Sequence, residues 1–261
     1  MKREMLAIIQ KDLRQITTNK RMFLPILAVP IILTVLIPSI FVFTIHFMPE
    51  EISEFESLLS LLPAAPQSDS PERTVTGLML NYLLPVFFLL IPIMAASIMS
   101  ASSFVGEKEK RTLETLLYCP LSLKHIFRSK VLASFFLSMT VSLVSFGTML
   151  LVLESEIFFI TGSLLAPGIN WLVILLLVSP SVSMIAITLI VRISAKAQSM
   201  EDAQQSAVFL ILPILLLIVG QFTGILLVNT WILLGIGILC GLLAWFLMKK
   251  AMGNFRYELL L

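Results

Sequence analysis

The stretch SASSFVGEKEKRTLETLLYCPLSLKHIFRSK, Ser100 to Lys130, decides the reading of this chain. It is a long charged segment held between two long apolar ones, and most of the remaining sequence reads as lipid-soluble helix. Hydrophobic residues make up 58% of the 261, charged residues only 13%, and mean hydropathy is +1.00. A soluble domain of this length carries roughly 25% charged residues. Apolar runs of about 20 residues recur, each long enough to cross a hydrocarbon core about 30 Å thick. The composition therefore defines an all-α, polytopic membrane protein. Within it, Ser100–Lys130 is the segment on which a soluble partner can push.

Working outward, six spans are expected within one transmembrane domain, residues 1–261, at about 22–45, 77–99, 131–153, 168–191, 206–227 and 231–248. Before the first span, Leu6, Ile9, Leu13 and Ile16 recur at helical spacing, with Lys2, Arg3, Lys11, Arg14 and Lys20 around them. That pattern predicts an amphipathic helix over residues 1–21, lying in the membrane interface with its lysines near anionic lipid headgroups. No cleavage site follows the first apolar run, so no signal peptide is expected. Pro25, Pro30 and Pro38 in the first span, Pro85 and Pro92 in the second, and Pro180 in the fourth predict kinks. Bilayer helices tolerate them when neighbours satisfy the freed carbonyls. In the acidic interval from His46 to Thr76, Ile52, Phe55, Leu58 and Leu62 predict a short surface helix. In the third span, Ser134, Ser138, Ser142 and Ser145 share a face and read as a close-packing seam. Gly220-x-x-x-Gly224 and Gly237-x-x-x-Gly241 are weaker packing signals.

Charge fixes the expected orientation. With six spans both termini share a side, and seventeen of the eighteen Lys and Arg residues fall there, leaving Arg73 alone opposite. The positive-inside rule then places both termini and Ser100–Lys130 in the cytoplasm.

The sequence is poor in chemistry. No ionisable residue falls well inside any expected span, whereas ion-coupled pumps keep such groups as relays or ligands. There is no phosphate-binding G-x-x-x-x-G-K-[ST] loop, so ATP is not expected to bind this chain. Cys119 and Cys240, and His46 and His125, show no metal or catalytic spacing. No cofactor, metal or nucleic acid is expected, and no catalytic residue. Energy for uphill transport must then come from another chain. Within the charged segment, Leu113, Leu116 and Leu117 form an apolar helical face, Pro120 stops the helix and Ser122 can cap the next.

Residues Phe104 to Ser122, with Ile126 and Lys130, resemble the signature of ATP-binding-cassette permeases of the type-2 exporter class. That pattern reads roughly E-[KR]-E-x-[GR]-T-[LI]-E-x-[LI]-L-x-[ST]-P-[LIV]-[ST]. Glu107, Glu109, Thr112, Leu113, Glu114, Leu117, Pro120, Leu121 and Ser122 match it, and Cys119 stands where a small Ser, Thr or Ala is common. The six-span layout and basic N-terminal helix agree, and the polar Ser199–Ser206 segment is similar to a weaker family feature. The whole is most similar to the sodium-exporter permeases of bacteria and archaea.

The resemblance implies a plasma-membrane permease that pairs with itself or a paralogous permease and is driven by two copies of a separate cytoplasmic ATPase. It makes the segment after the second span, residues 100–130, the coupling region. Glu107, Glu109, Arg111 and Glu114 would pair with the ATPase, and Leu113, Leu116 and Leu117 would anchor the helix; Thr112 and Pro120 complete the motif. The substrate residues are unknown. Empty spans point to a lipid-like or drug-like amphiphile, whereas the nearest group points to sodium held by hydroxyls and carbonyls at the proline kinks. A non-transporting docking or assembly component that uses the same loop is the competing reading.

Overall fold

The computed structural model describes residues 2–47, 71–110, 112, 121–162, 164–194, 197, 199–205, 208–222 and 229–254. Among these the regular structure is all helix, and six helical stretches are long and apolar enough to cross a membrane: Phe23–Phe47, Val75–Glu109, Leu123–Ile160, Ile169–Ser194, Met200–Gln221 and Thr230–Gly253. The expected surface helix on Ile52–Leu62 lies outside the described residues.

In chain order the helices are α1 (Lys2–Thr18), α2 (Lys20–Ile31), α3 (Ile37–Phe47), α4 (Pro71–Leu78), α5 (Leu84–Phe88), α6 (Leu90–Glu109), α7 (Leu123–Thr161), α8 (Ile169–Val173), α9 (Ser179–Ser194), α10 (Met200–Gln205), α11 (Val208–Phe222) and α12 (Thr230–Asn254). Three wider π turns interrupt them, at Ile32–Leu36, Met79–Leu83 and Ile174–Val178. Each ends two residues before a proline: Pro38, Pro85 and Pro180. In each, the residue just before the proline donates five back, Ile37 to Ile32, Leu84 to Met79 and Ser179 to Ile174. The cause is local. Proline has no N–H and its ring crowds the carbonyl four residues earlier, so the helix widens by one residue to move that carbonyl aside.

The second span is the centre of the bundle. In its most apolar stretch 78% of residues are buried, against 28%, 25% and 17% for the first, fifth and sixth spans. It packs chiefly on α7 and α9, with α12 behind α9. The seam reading of α7 matches the geometry, because Ser134, Ser138, Ser142 and Ser145 are all buried. The Ser138 hydroxyl lies 2.8 Å from the Pro92 carbonyl and 2.9 Å from Ser183 Oγ, tying three spans together. Gly237 brings α12 close to the fourth span: a Cβ there would sit 2.6 Å from Leu177 Cδ2, so a larger residue requires the Leu177 side chain to move. A Cβ on Gly241 would meet Ser181 at an ordinary 3.4 Å.

The second and third spans are longer than a bilayer needs. At 35 and 38 residues they measure about 52 and 57 Å, where a hydrocarbon core takes about 30 Å. The surplus on α7 begins at Leu123, with Ser122 as N-cap, and runs without a break to Thr161, where Gly162 at φ +67° ends the helix. The surplus on α6 continues through Glu109. The charged segment is thus held at both roots by rigid helix.

Candidate functional site

The roots of the charged segment meet in a buried ionic cluster. Three helices build it. Glu107 and Ser103 lie one turn apart on α6, Lys130 lies two turns into α7, and Lys11 and Asp12 sit midway along α1. Lys130 Nζ is 2.7 Å from Glu107 Oε2 and 3.6 Å from Asp12 Oδ2. It also donates to the Ser103 carbonyl at 2.5 Å and to Ser103 Oγ at 3.3 Å. Ser103 Oγ donates to Asp12 Oδ2 at 2.6 Å. Lys11 Nζ donates to the second oxygen of Glu107 and stands 4.0 Å from Asp12 Oδ1. The contact of Glu107 Oε2 with Lys130 is a close ion pair rather than an aligned hydrogen bond.

The side chains of Asp12, Glu107 and Lys130 are each 2% exposed, and only Lys11, at 47%, reaches the surface. A lone charge in that position would be prohibitively costly, and the cluster holds because its two ammoniums and two carboxylates balance. Two aromatic rings flank it. Phe104 lies 5.6 Å below the Lys130 ammonium and 6.0 Å from Phe127. The narrow void bordered by Asp12, Ile16, Met99 and Ser102 is too tight for a water molecule.

This arrangement corrects one expectation. Glu107 was assigned to face a partner, yet its carboxylate is buried and occupied by two ammoniums of its own chain. The surplus length of α6 keeps it inside the bundle. Glu109, half a turn on, is exposed, and its Oε2 accepts from the Met200 backbone N–H at 3.3 Å, which sets α10 against the end of α6. Thr112 is exposed and closes α6: its N–H and its hydroxyl both reach the Glu107 carbonyl, at 2.9 and 3.3 Å. Arg111, Leu113, Glu114, Leu116, Leu117 and Pro120 lie outside the described residues. On α1, Ile9 and Leu13 pack against the core. Its buried line is Ile8, Asp12 and Ile16, while Leu6 is 62% exposed.

Sequence reasoning missed Asp12 and Ser103 and gave Lys130 no role beyond the end of the signature, although two periodicities carried the signal for Asp12 and Lys130. Extended back one turn, the serine seam of α7 begins at Lys130, and on α1 Asp12 falls four residues from both Ile8 and Ile16.

A second polar cluster serves the Pro85 kink, towards the opposite end of the second span. The Asn81 carbonyl, freed by Pro85, accepts from Asn170 Nδ2 at 3.0 Å. The neighbouring Leu80 and Tyr82 carbonyls accept from Trp171 Nε1 at 2.9 Å and Gln221 Nε2 at 3.2 Å. Asn81 Oδ1 receives the Gly168 N–H, and Asn170 Oδ1 receives the Thr230 hydroxyl at 2.6 Å. The second, fourth, fifth and sixth spans are thereby joined through one kink. Among the described residues, no group of His, Cys, Asp and Glu could hold a metal ion.

Six helices long and apolar enough to cross a membrane define a multi-pass membrane protein. The family model described as ABC-2 family transporter protein matches residues 6–251, nearly the whole chain, and the protein belongs to that family. It is the membrane subunit of an ATP-binding-cassette transporter, of a family that generally works with a cytoplasmic ATPase. No curated protein and no solved structure matches the chain.

Proposed function

We propose that the chain is an export permease driven by a separate cytoplasmic ATPase that docks on residues 108–121. In this reading both termini are cytoplasmic, and the permease works in the plasma membrane of a bacterium or archaeon as a dimer with itself or a paralogue. Helix α1 rests in the interface among lipid headgroups, with Leu6 towards the bilayer. The observation that carries the reading is the neck: Glu107 and Lys130 seal both roots of the loop, so a force on the loop enters α6 and α7 together. A loop that served only to connect two spans would not need its roots locked by buried charge. Docking then falls to Glu109, Arg111 and Glu114, with Leu113 and Leu117 against the membrane domain and Pro120 ending the helix.

The cargo is a sodium ion or a lipid-like or drug-like amphiphile.

The test is co-purification. The tagged permease is expressed with the ATP-binding-cassette ATPase encoded beside it, and ATP hydrolysis is measured in the detergent eluate. Roughly equimolar ATPase, lost when Arg111→Glu is combined with Glu114→Lys, is the expected result. A folded, inserted permease that retains no ATPase overturns the reading in favour of a non-transporting docking protein. Uptake of radioactive sodium or of a fluorescent amphiphile into inverted vesicles then separates the cargoes.

A further inference from the structure

The cluster on Asp12 does more than seal the loop: it reaches a third helix that lies outside the six spans. We propose that Asp12 and Lys11 make α1 a moving part of the transport stroke, clamped to the neck so that α1, the end of α6 and the start of α7 travel as one rigid body. The inference rests on the proposed function, since it needs an ATPase that moves the loop.

Two observations support a clamp rather than a hinge. First, the contacts cross three helices more than once: Asp12 is held by Lys130 and by Ser103, and Glu107 by both lysines. Second, parting α1 from the neck would take Asp12, which is 2% exposed, away from the buried Lys130 ammonium and strand both charges. Ile8 and Ile16 seat on the bundle one turn either side of Asp12, which extends the grip along the helix. Asp12, Ser103 and Lys130 act here as positioning residues, and none is required to touch the ATPase or the cargo.

The experiment breaks the ionic joint and replaces it with a covalent one. In a background with Cys119→Ser and Cys240→Ser, Asp12→Cys removes one charge of the cluster. Ser103→Cys places a second thiol across a gap that is now a 2.6 Å hydrogen bond. The permease–ATPase complex is reconstituted in liposomes with the thiols reduced, or bridged by oxidation or a short bifunctional thiol reagent. The readouts are ATP hydrolysis and the change in deuterium uptake at residues 162–168, on the far side, upon trapping with ATP and vanadate. The clamp predicts that the reduced pair hydrolyses ATP but loses the far-side response, and that bridging restores it. A response abolished by bridging would show a joint that must open, and overturn the proposal. So would equal responses in the reduced and bridged states, which would mark the cluster as packing alone. Loss of the ATPase from the unsubstituted permease would overturn the proposed function as well, which separates the two failures. Asp12→Asn, which keeps a hydrogen-bonding group against Ser103, gives a milder form of the reduced phenotype if the double-cysteine permease inserts poorly.

Discussion

Lys130 and Glu107 stand 23 residues apart in sequence and 2.7 Å apart in space, each 2% exposed. Their pairing turns a 22-residue charged segment into a closed loop on a buried neck, and it gives the cluster an unequal sensitivity to substitution. Lys130→Met leaves Asp12 without its nearest ammonium and Glu107 with one of two, and is expected to cost about 3–5 kcal/mol of stability. Lys11→Met removes a half-exposed partner and is expected to cost about 1 kcal/mol or less. Thermal unfolding of the two variants in the same detergent checks the order. Equal losses would show that the neck does not depend on its buried lysine.

A variant without the three buried charges is a sharper probe of the same site. Asp12→Leu, Glu107→Met and Lys130→Met together replace them by apolar side chains of similar volume. Buried ion clusters replaced in this way often lose no stability. The triple variant is therefore expected to unfold within about 1 kcal/mol of the parent, well above Lys130→Met alone. A triple variant as unstable as the single would place the deficit in packing around Phe104 and Phe127 rather than in unpaired charge.

Trp171→Phe tests the service of the Pro85 kink. The ring keeps its aromatic neighbours, Phe88 at 5.4 Å and Phe146 at 5.0 Å, but the indole N–H to the Leu80 carbonyl is lost. Leaving that buried carbonyl unserved is expected to cost about 1–3 kcal/mol. Faster amide exchange at residues 79–85 than in the parent is the accompanying signature.

Gly168→Ala acts at the same kink by sterics. Its Cβ would come 2.7 Å from Asn81 Oδ1 and force apart the hydrogen bond between the two residues. The expected loss is about 1–3 kcal/mol, matched by Asn81→Ala and not additive with it. Unfolding midpoints of the two singles and the double give the coupling.

The serine seam separates bonds within a helix from bonds between helices. Ser138→Ala loses contacts to Pro92 and Ser183 on other spans, and is expected to cost about 0.6–1.7 kcal/mol. Ser134→Ala loses only the bond to the Lys130 carbonyl one turn back, and is expected to be near neutral. Unfolding in a denaturing detergent ranks them.

Much of the fold was legible in the sequence because a bilayer asks a simple question of each segment. Apolar length alone locates six spans, since backbone groups in lipid must bond within their own helix. Prolines mark the interruptions, although not that Pro38, Pro85 and Pro180 would each be met by a π turn. The candidate site was half legible. The segment stood out by its charge, but charge was read as exposure, and that misplaced Glu107. Helix length was the missing fact: α6 and α7 outrun the apolar pattern by several turns, so residues counted as loop are interior.

The sequence by itself determined that this is a polytopic helical membrane protein, that a densely charged segment separates its second and third apolar runs, and that the given residues contain no G-x-x-x-x-G-K-[ST] motif. Those properties depend on local composition, which each stretch of chain carries regardless of its neighbours. Only the tertiary structure decided that Asp12, Ser103, Glu107 and Lys130 form one buried cluster, and that Asn170, Trp171 and Gln221 attend a single kink. Periodicity can place a residue on the buried face of its own helix, but it does not name a partner 91 or 139 residues away, because which faces of three or four helices meet is set by packing alone.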